Sequence, residues 1–177
     1  MKSVLVVSVL GLLSTMTFAN ESEPYYFIGL GLGDSDMLAK PSGTEFQNSI
    51  SSELSLGTGV SYAINEDWSY DQQFSVSHAF ADTRFDAPDP VGQINDNLTN
   101  SGIWTTAIIK RHNLFGNNIT PFASLAVGVV KVNLNNFENG YQDWTYGSRA
   151  NLGLEFITKD NASVAITFGV SDYAGHN

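Results

Sequence analysis

Apolar and polar residues alternate with period two along most of the chain. From Ser51 to Asn65 the even positions are Leu54, Leu56, Thr58, Val60, Tyr62 and Ile64, and the odd ones are Glu53, Ser55, Gly57, Gly59, Ser61 and Ala63. A strand sends successive side chains to opposite faces, so this stretch reads as a strand with one greasy face and one small, polar face. The split recurs from Trp144 to Thr158, where Tyr146, Leu152, Leu154 and Phe156 stand opposite Gly147, Arg149, Asn151 and Glu155. It recurs from Asn161 to Tyr173, with Val164, Ile166, Phe168 and Val170 opposite Ser163, Ala165, Thr167 and Gly169. Tyr25 to Gly33 and Asp67 to Ala81 follow the same rule, with Ile28, Leu30, Phe74 and Val76 on the apolar side and Gly29, Gly31, Asp71 and Gln73 on the other. Ser101 to Leu114 and Ile119 to Asn135 are also read as strands. Their parity is ambiguous, and the assignment adopted puts Trp104, Ile108, Leu125, Val127 and Val129 outward and Ser124, Ala126 and Gly128 inward.

The chemistry of the two faces narrows the architecture. A soluble sandwich buries its bulky face and covers the other with charge. Here the polar face is mostly Gly, Ser, Ala and Thr, which suits the concave side of a narrow barrel whose convex side meets lipid. The connections alternate as well. Tight links fall at Asn65 and Glu66, Phe115 to Asn118, and Lys159 and Asp160, whereas Asp34 to Ile50 and Asp82 to Asn100 are long, polar and Pro-bearing. Short periplasmic turns and long outer loops are the rule of outer-membrane barrels. Aromatic residues fall where headgroups would lie, with Tyr26 and Trp68 near one rim and Phe80, Trp104 and Trp144 near the other.

The N-terminus reads differently. Lys2 precedes an apolar run from Val4 to Leu13, and Thr17, Phe18 and Ala19 offer small residues at the two positions that a signal peptidase inspects. Residues 1–19 are therefore expected to be a signal peptide cleaved after Ala19, leaving 20–177 as one domain. The run is far short of the roughly 20 apolar residues of a membrane-spanning helix. Composition excludes other classes. The 177 residues carry 8 Lys+Arg against 18 Asp+Glu, a net charge of -10 that would repel a nucleic-acid backbone. With no cysteine, a disulfide scaffold, a thiol nucleophile and a Cys-based zinc site are ruled out.

The opening Tyr25 to Gly33 (YYFIGLGLG), the central Ile119 to Gly128 (ITPFASLAVG), and Gly153 to Phe156 before a Lys159, Asp160, Asn161 turn resemble the small Gram-negative outer-membrane β-barrels. That group comprises the OmpA- and OmpX-like domains and the opacity-type surface antigens. The resemblance spans nearly the whole chain after residue 19 and rests on alternation. It implies an all-β, antiparallel, up-and-down transmembrane barrel of eight-strand type, located in the outer membrane. It further implies a monomer with a structural or surface role, partnered by membrane lipid, lipopolysaccharide and the barrel-assembly machinery. One departure stands out: seven strands are readable, and a single-chain barrel needs an even number. The expectation is a body that lacks one hairpin arm, because Pro41, Gly43 and the absence of alternation argue against a hidden strand between Asp34 and Ile50.

Candidate chemistry is sparse. Glu53, Arg149 and Glu155 fall on inward faces, where a charge needs a partner, and they are expected to plug the interior as ion pairs rather than form a selectivity ring. Lys110 and Arg111 read as rim anchors. Gly29, Gly31 and Gly33 lie within a strand and have no crossover helix after them, so they do not form a dinucleotide loop. Ser77 and His78 evoke the lipid acyl hydrolases among small barrels, but neighbours in a strand face opposite ways and cannot be nucleophile and base. Asp82, Asp86, Asp89 and Asp96 lack the regular spacing of a calcium loop. No catalytic, cofactor-binding or metal-binding residue is assigned, and no cofactor is expected. The alternatives are an outer-membrane acyl hydrolase using His78 and a secreted soluble β-sandwich.

Overall fold

A computed structural model describes residues 6–13, 22–35, 46–47, 49–86, 93–115, 118–134, 141–158 and 162–173. Nine strands are present and no helix occurs among these residues: β1 (Val6–Leu13), β2 (Ser22–Ser35), β3 (Phe46–Gln47), β4 (Ser49–Asn65), β5 (Trp68–Asp86), β6 (Gln93–Arg111), β7 (Ile119–Leu134), β8 (Tyr141–Ile157) and β9 (Ala162–Tyr173). Seven of them, β2 and β4 to β9, form an up-and-down antiparallel body in which each strand pairs with the next. The short β3 pairs with the far end of β5, and β1 pairs on one side with β2 and on the other with β9.

The sheet is strongly curled. Arg149 on β8 and Glu53 on β4 lie four strands apart in the pairing order, which in a flat sheet would separate them by about 19 Å. Their side chains meet at 2.6 Å, so the sheet bends round until its inner face touches itself. The convex face is built from large apolar residues that remain exposed, among them Ile28, Leu30, Leu54, Leu56, Phe74, Leu125, Leu152 and Phe168. The concave face carries the small and polar partners expected, including Ser69, Asp71, Gln73, Ser75, Ser124, Ser163 and Thr167, all buried.

Turns are set by local side-chain chemistry. Asn65 Oδ1 accepts hydrogen bonds from the backbone N–H of Asp67 and Trp68, each at 3.0 Å, so the β4–β5 link closes as an Asx turn. A register shift beside it, between Ala63 and Asn65, accommodates the extra residue. At the end of β6 the N–H of His112 donates to the carbonyl of Asp67, and Asn113 adopts a φ of 61°. Asn is among the few residues that take this left-handed conformation readily, so the strand ends at Arg111 rather than at Leu114 as its pattern predicted.

Two expectations need correction. The connection from Asp82 to Asn100, read as a loop from its polar composition, is largely sheet: β5 and β6 continue as a paired ribbon to Asp86 opposite Gln93. Ladder hydrogen bonds satisfy both backbones there, which a loop reading had left unpaired. The other long connection contains β3, and most of it lies outside the described residues, as does Asp89. The parity of β6 is also reversed. Trp104 and Ile108 are buried on the concave face, 2% and 6% exposed, and Ile103 and Ile109 point outward instead. The parity chosen for β7 agrees with the structure, with Leu125, Val127 and Val129 exposed.

Candidate functional site: two polar layers on the concave face

The interior of the curl is held by two charged clusters. In the first, Lys110 Nζ lies 2.9 Å from Asp71 Oδ2 and 2.7 Å from Glu155 Oε2. The Tyr25 hydroxyl donates to Asp71 Oδ2 at 2.9 Å and Ser61 donates to Asp71 Oδ1 at 2.7 Å. Gln73 Nε2 donates to the Tyr25 oxygen at 2.9 Å, and Ser163 donates to Glu155 at 2.6 Å. Strands β2, β4, β5, β6, β8 and β9 thus each supply a member. Asp71 has no exposed surface, and an ammonium and two hydroxyls stand where water would otherwise meet its oxygens.

The second cluster is a fork. Arg149 donates from both terminal nitrogens to the two oxygens of Glu53, at 2.7 and 2.6 Å, the bidentate geometry that makes such pairs strong. The guanidinium carbon sits 3.7 Å from the centre of the Trp104 ring, so the cation is also held by an aromatic face. Trp104 donates in turn from Nε1 to Ser77 Oγ at 2.9 Å, and the Tyr173 ring meets it edge-on at 6.4 Å. The indole fits because its neighbours lack side chains. A Cβ on Gly128 would lie 2.6 Å from Trp104, and one on Gly102 or Gly147 would lie 2.5 or 2.6 Å away. Trp104 therefore dictates glycine at these positions by close approach.

Between the clusters is a cavity of about 100 Å³, lined by residues of both, including Glu53, Gln73, Trp104, Lys110, Arg149 and Glu155. Such a volume holds a few waters. Arg149 Nε is buried without a protein partner.

The residues predicted to plug the interior are all on the concave face, but they do not form one group. Arg149 pairs with Glu53, while Glu155 pairs with Lys110. Lys110, expected at a rim, is an interior cation whose side chain is 11% exposed; only Arg111 sits in a rim setting, beside Asp67 at 3.2 Å and over the Trp68 ring at 4.9 Å. A signal for Lys110 existed in the sequence. Glu53, Asp71 and Glu155 were placed inside against Arg149 alone, and such an excess of buried carboxylate demands a second cation.

On the convex face, His78 Nδ1 lies 2.7 Å from Ser101 Oγ, its direct neighbour across the β5–β6 ladder, and the Phe80 ring packs edge-on against the imidazole at 4.4 Å. Ser77 points the other way, to Trp104. Among the described residues no third group is hydrogen-bonded to His78, and no cluster of three metal-ligating side chains is present. No family model, no curated protein and no solved structure matches this chain.

Proposed function

We propose that this chain is an integral outer-membrane β-barrel protein of the small eight-strand type, with a structural or surface role and an interior plugged by its own ion pairs. The observation that carries this reading is the inverted distribution of polarity. Soluble monomers rarely expose contiguous apolar patches beyond a few hundred Å². Here the exposed residues run from Ile28, Leu30 and Leu32 through Leu54, Leu56, Phe74, Val76, Leu125, Val127, Leu152, Val164 and Phe168. Lipid is the solvent that this surface fits, and β4 to β8 are each paired on both sides, as lipid requires of a backbone within it. The resemblance to OmpA-, OmpX- and opacity-type barrels points the same way, as does a leader at residues 1–19. Lipid and lipopolysaccharide would contact the convex face, and the barrel-assembly machinery would insert the monomer.

The test is extraction. Outer membranes from Gram-negative cells expressing the chain are washed with urea and then with detergent. The protein should stay in the pellet through urea and leave only with detergent. Recovery as a folded protein in the periplasmic fraction without detergent would overturn the reading in favour of a secreted sandwich.

A second reading, an acyl hydrolase acting on membrane lipid, is favoured by one observation, the His78–Ser101 contact on the apolar face. A serine beside a histidine is the minimum for nucleophilic catalysis, although among the described residues no third group orients the ring. Mass spectrometry of lipid A from cells expressing wild type or Ser101→Ala decides the matter. Acyl loss with wild type alone would establish the hydrolase.

A further inference from the structure

The body has an odd number of strands, and its two outermost members, β2 and β9, do not pair with each other. Instead β1 runs between them. It opposes β2 from Val6 and Gly33 to Leu13 and Tyr26, and β9 from Val6 and Gly169 to Leu13 and Ala162. Val9 has Leu30 on one side and Ile166 on the other, so one strand fills the whole width of the seam. The inward positions that border it include Gly29, Gly31 and Gly33 on β2 and Ala165, Thr167 and Gly169 on β9, with the larger Phe27 at the end opposite Leu12. Thr167 is 4% exposed and its Oγ1 has no partner. A bordering wall of this kind leaves room for whatever inward residues the inserted strand brings.

We propose that the seam between β2 and β9 is a strand-acceptor site, filled in this chain by residues 6–13. Because these residues are also the apolar run of the leader, leader removal and occupancy of the seam exclude each other. The inference rests on the barrel reading, since it is in lipid that unpaired edges cannot be left open.

The 177 residues include no cysteine, so engineered pairs report the seam directly. The chain is refolded in detergent micelles with its leader intact, verified by mass, and oxidised. Val9→Cys with Leu30→Cys, and Val9→Cys with Ile166→Cys, should each form a disulfide. Leu30→Cys with Ile166→Cys should not, because two strand spacings are about 9.5 Å and a disulfide spans Cα atoms up to about 7 Å apart. A thiol cross-linker of about 10 Å should join that pair. A direct Leu30–Ile166 disulfide, or failure of both Val9 pairs, would overturn the proposal. Leu56→Cys with Val76→Cys, opposed in the body, serves as the control. Its failure would bring down the seven-strand body and the seam with it, whereas its success alongside failed Val9 pairs would remove the seam alone.

Discussion

The two interior clusters solve the same problem by different means. Around Lys110, one cation serves two carboxylates, and the excess negative charge is answered by O–H donors from Tyr25, Ser61 and Ser163. Around Arg149 the charges match one to one, and geometry does the rest: a planar fork engages both oxygens of Glu53 and lies on an indole face. The first arrangement depends on many weak partners drawn from six strands. The second depends on two side chains reaching across the curl. A point-charge lysine suits shared coordination, and a rigid guanidinium suits a single opposed carboxylate.

Substitutions should separate these modes, each read as urea unfolding of the refolded chain in detergent micelles. Lys110→Met should cost most, about 3–5 kcal/mol, because it strands two buried carboxylates at once. Arg149→Met strands only Glu53, on a pair nearly one-fifth exposed, and should cost about 3 kcal/mol. Adding Glu53→Gln to Arg149→Met should recover most of that loss; if it recovers none, the fork is not the interaction that matters. Gly128→Val drives a Cβ to within 2.6 Å of Trp104 and 2.5 Å of the Ile103 carbonyl, and should cost about 1–3 kcal/mol by overpacking. Tyr25→Phe removes one of several donors to Asp71 and should cost about 1 kcal/mol. A Tyr25→Phe effect as large as that of Lys110→Met would mean that the shared cluster behaves as one unit rather than as a sum of weak partners.

The fold class was legible because most strands separate bulky apolar residues from Gly, Ser and Thr, and the outward residues of β2, β4, β5, β8 and β9 follow directly from that separation, while the parity of β7 was ambiguous and only its adopted assignment agrees with the structure. Strand β6 defeats it. Its even positions hold Trp104 and Ile108, its odd ones Ile103 and Ile109, so hydrophobicity is equal on both faces. What decides is tertiary: Lys110 is drawn to Asp71 and Glu155, and the whole even face follows it inward. Tyr25 and Phe27 were missed for a related reason, since β2 is apolar on both faces and the space for these rings is made by Gly59 and Gly57 on the next strand. The Glu53–Arg149 pairing joins residues 96 apart in the chain, and no local pattern reports a partner across the curl.

Asn65 sets a limit on how the β4–β5 hairpin can form. Its amide oxygen needs only the next few residues, so the turn can be made before any distant strand arrives. The Glu53–Arg149 fork needs nearly the whole body in place. The fork braces the curl between β4 and β8: squeezing it along that line compresses a short contact, and widening it pulls the contact apart. The Lys110 cluster adds braces from β6 to β5 and β8, so lateral pressure from the surroundings meets resistance along more than one line.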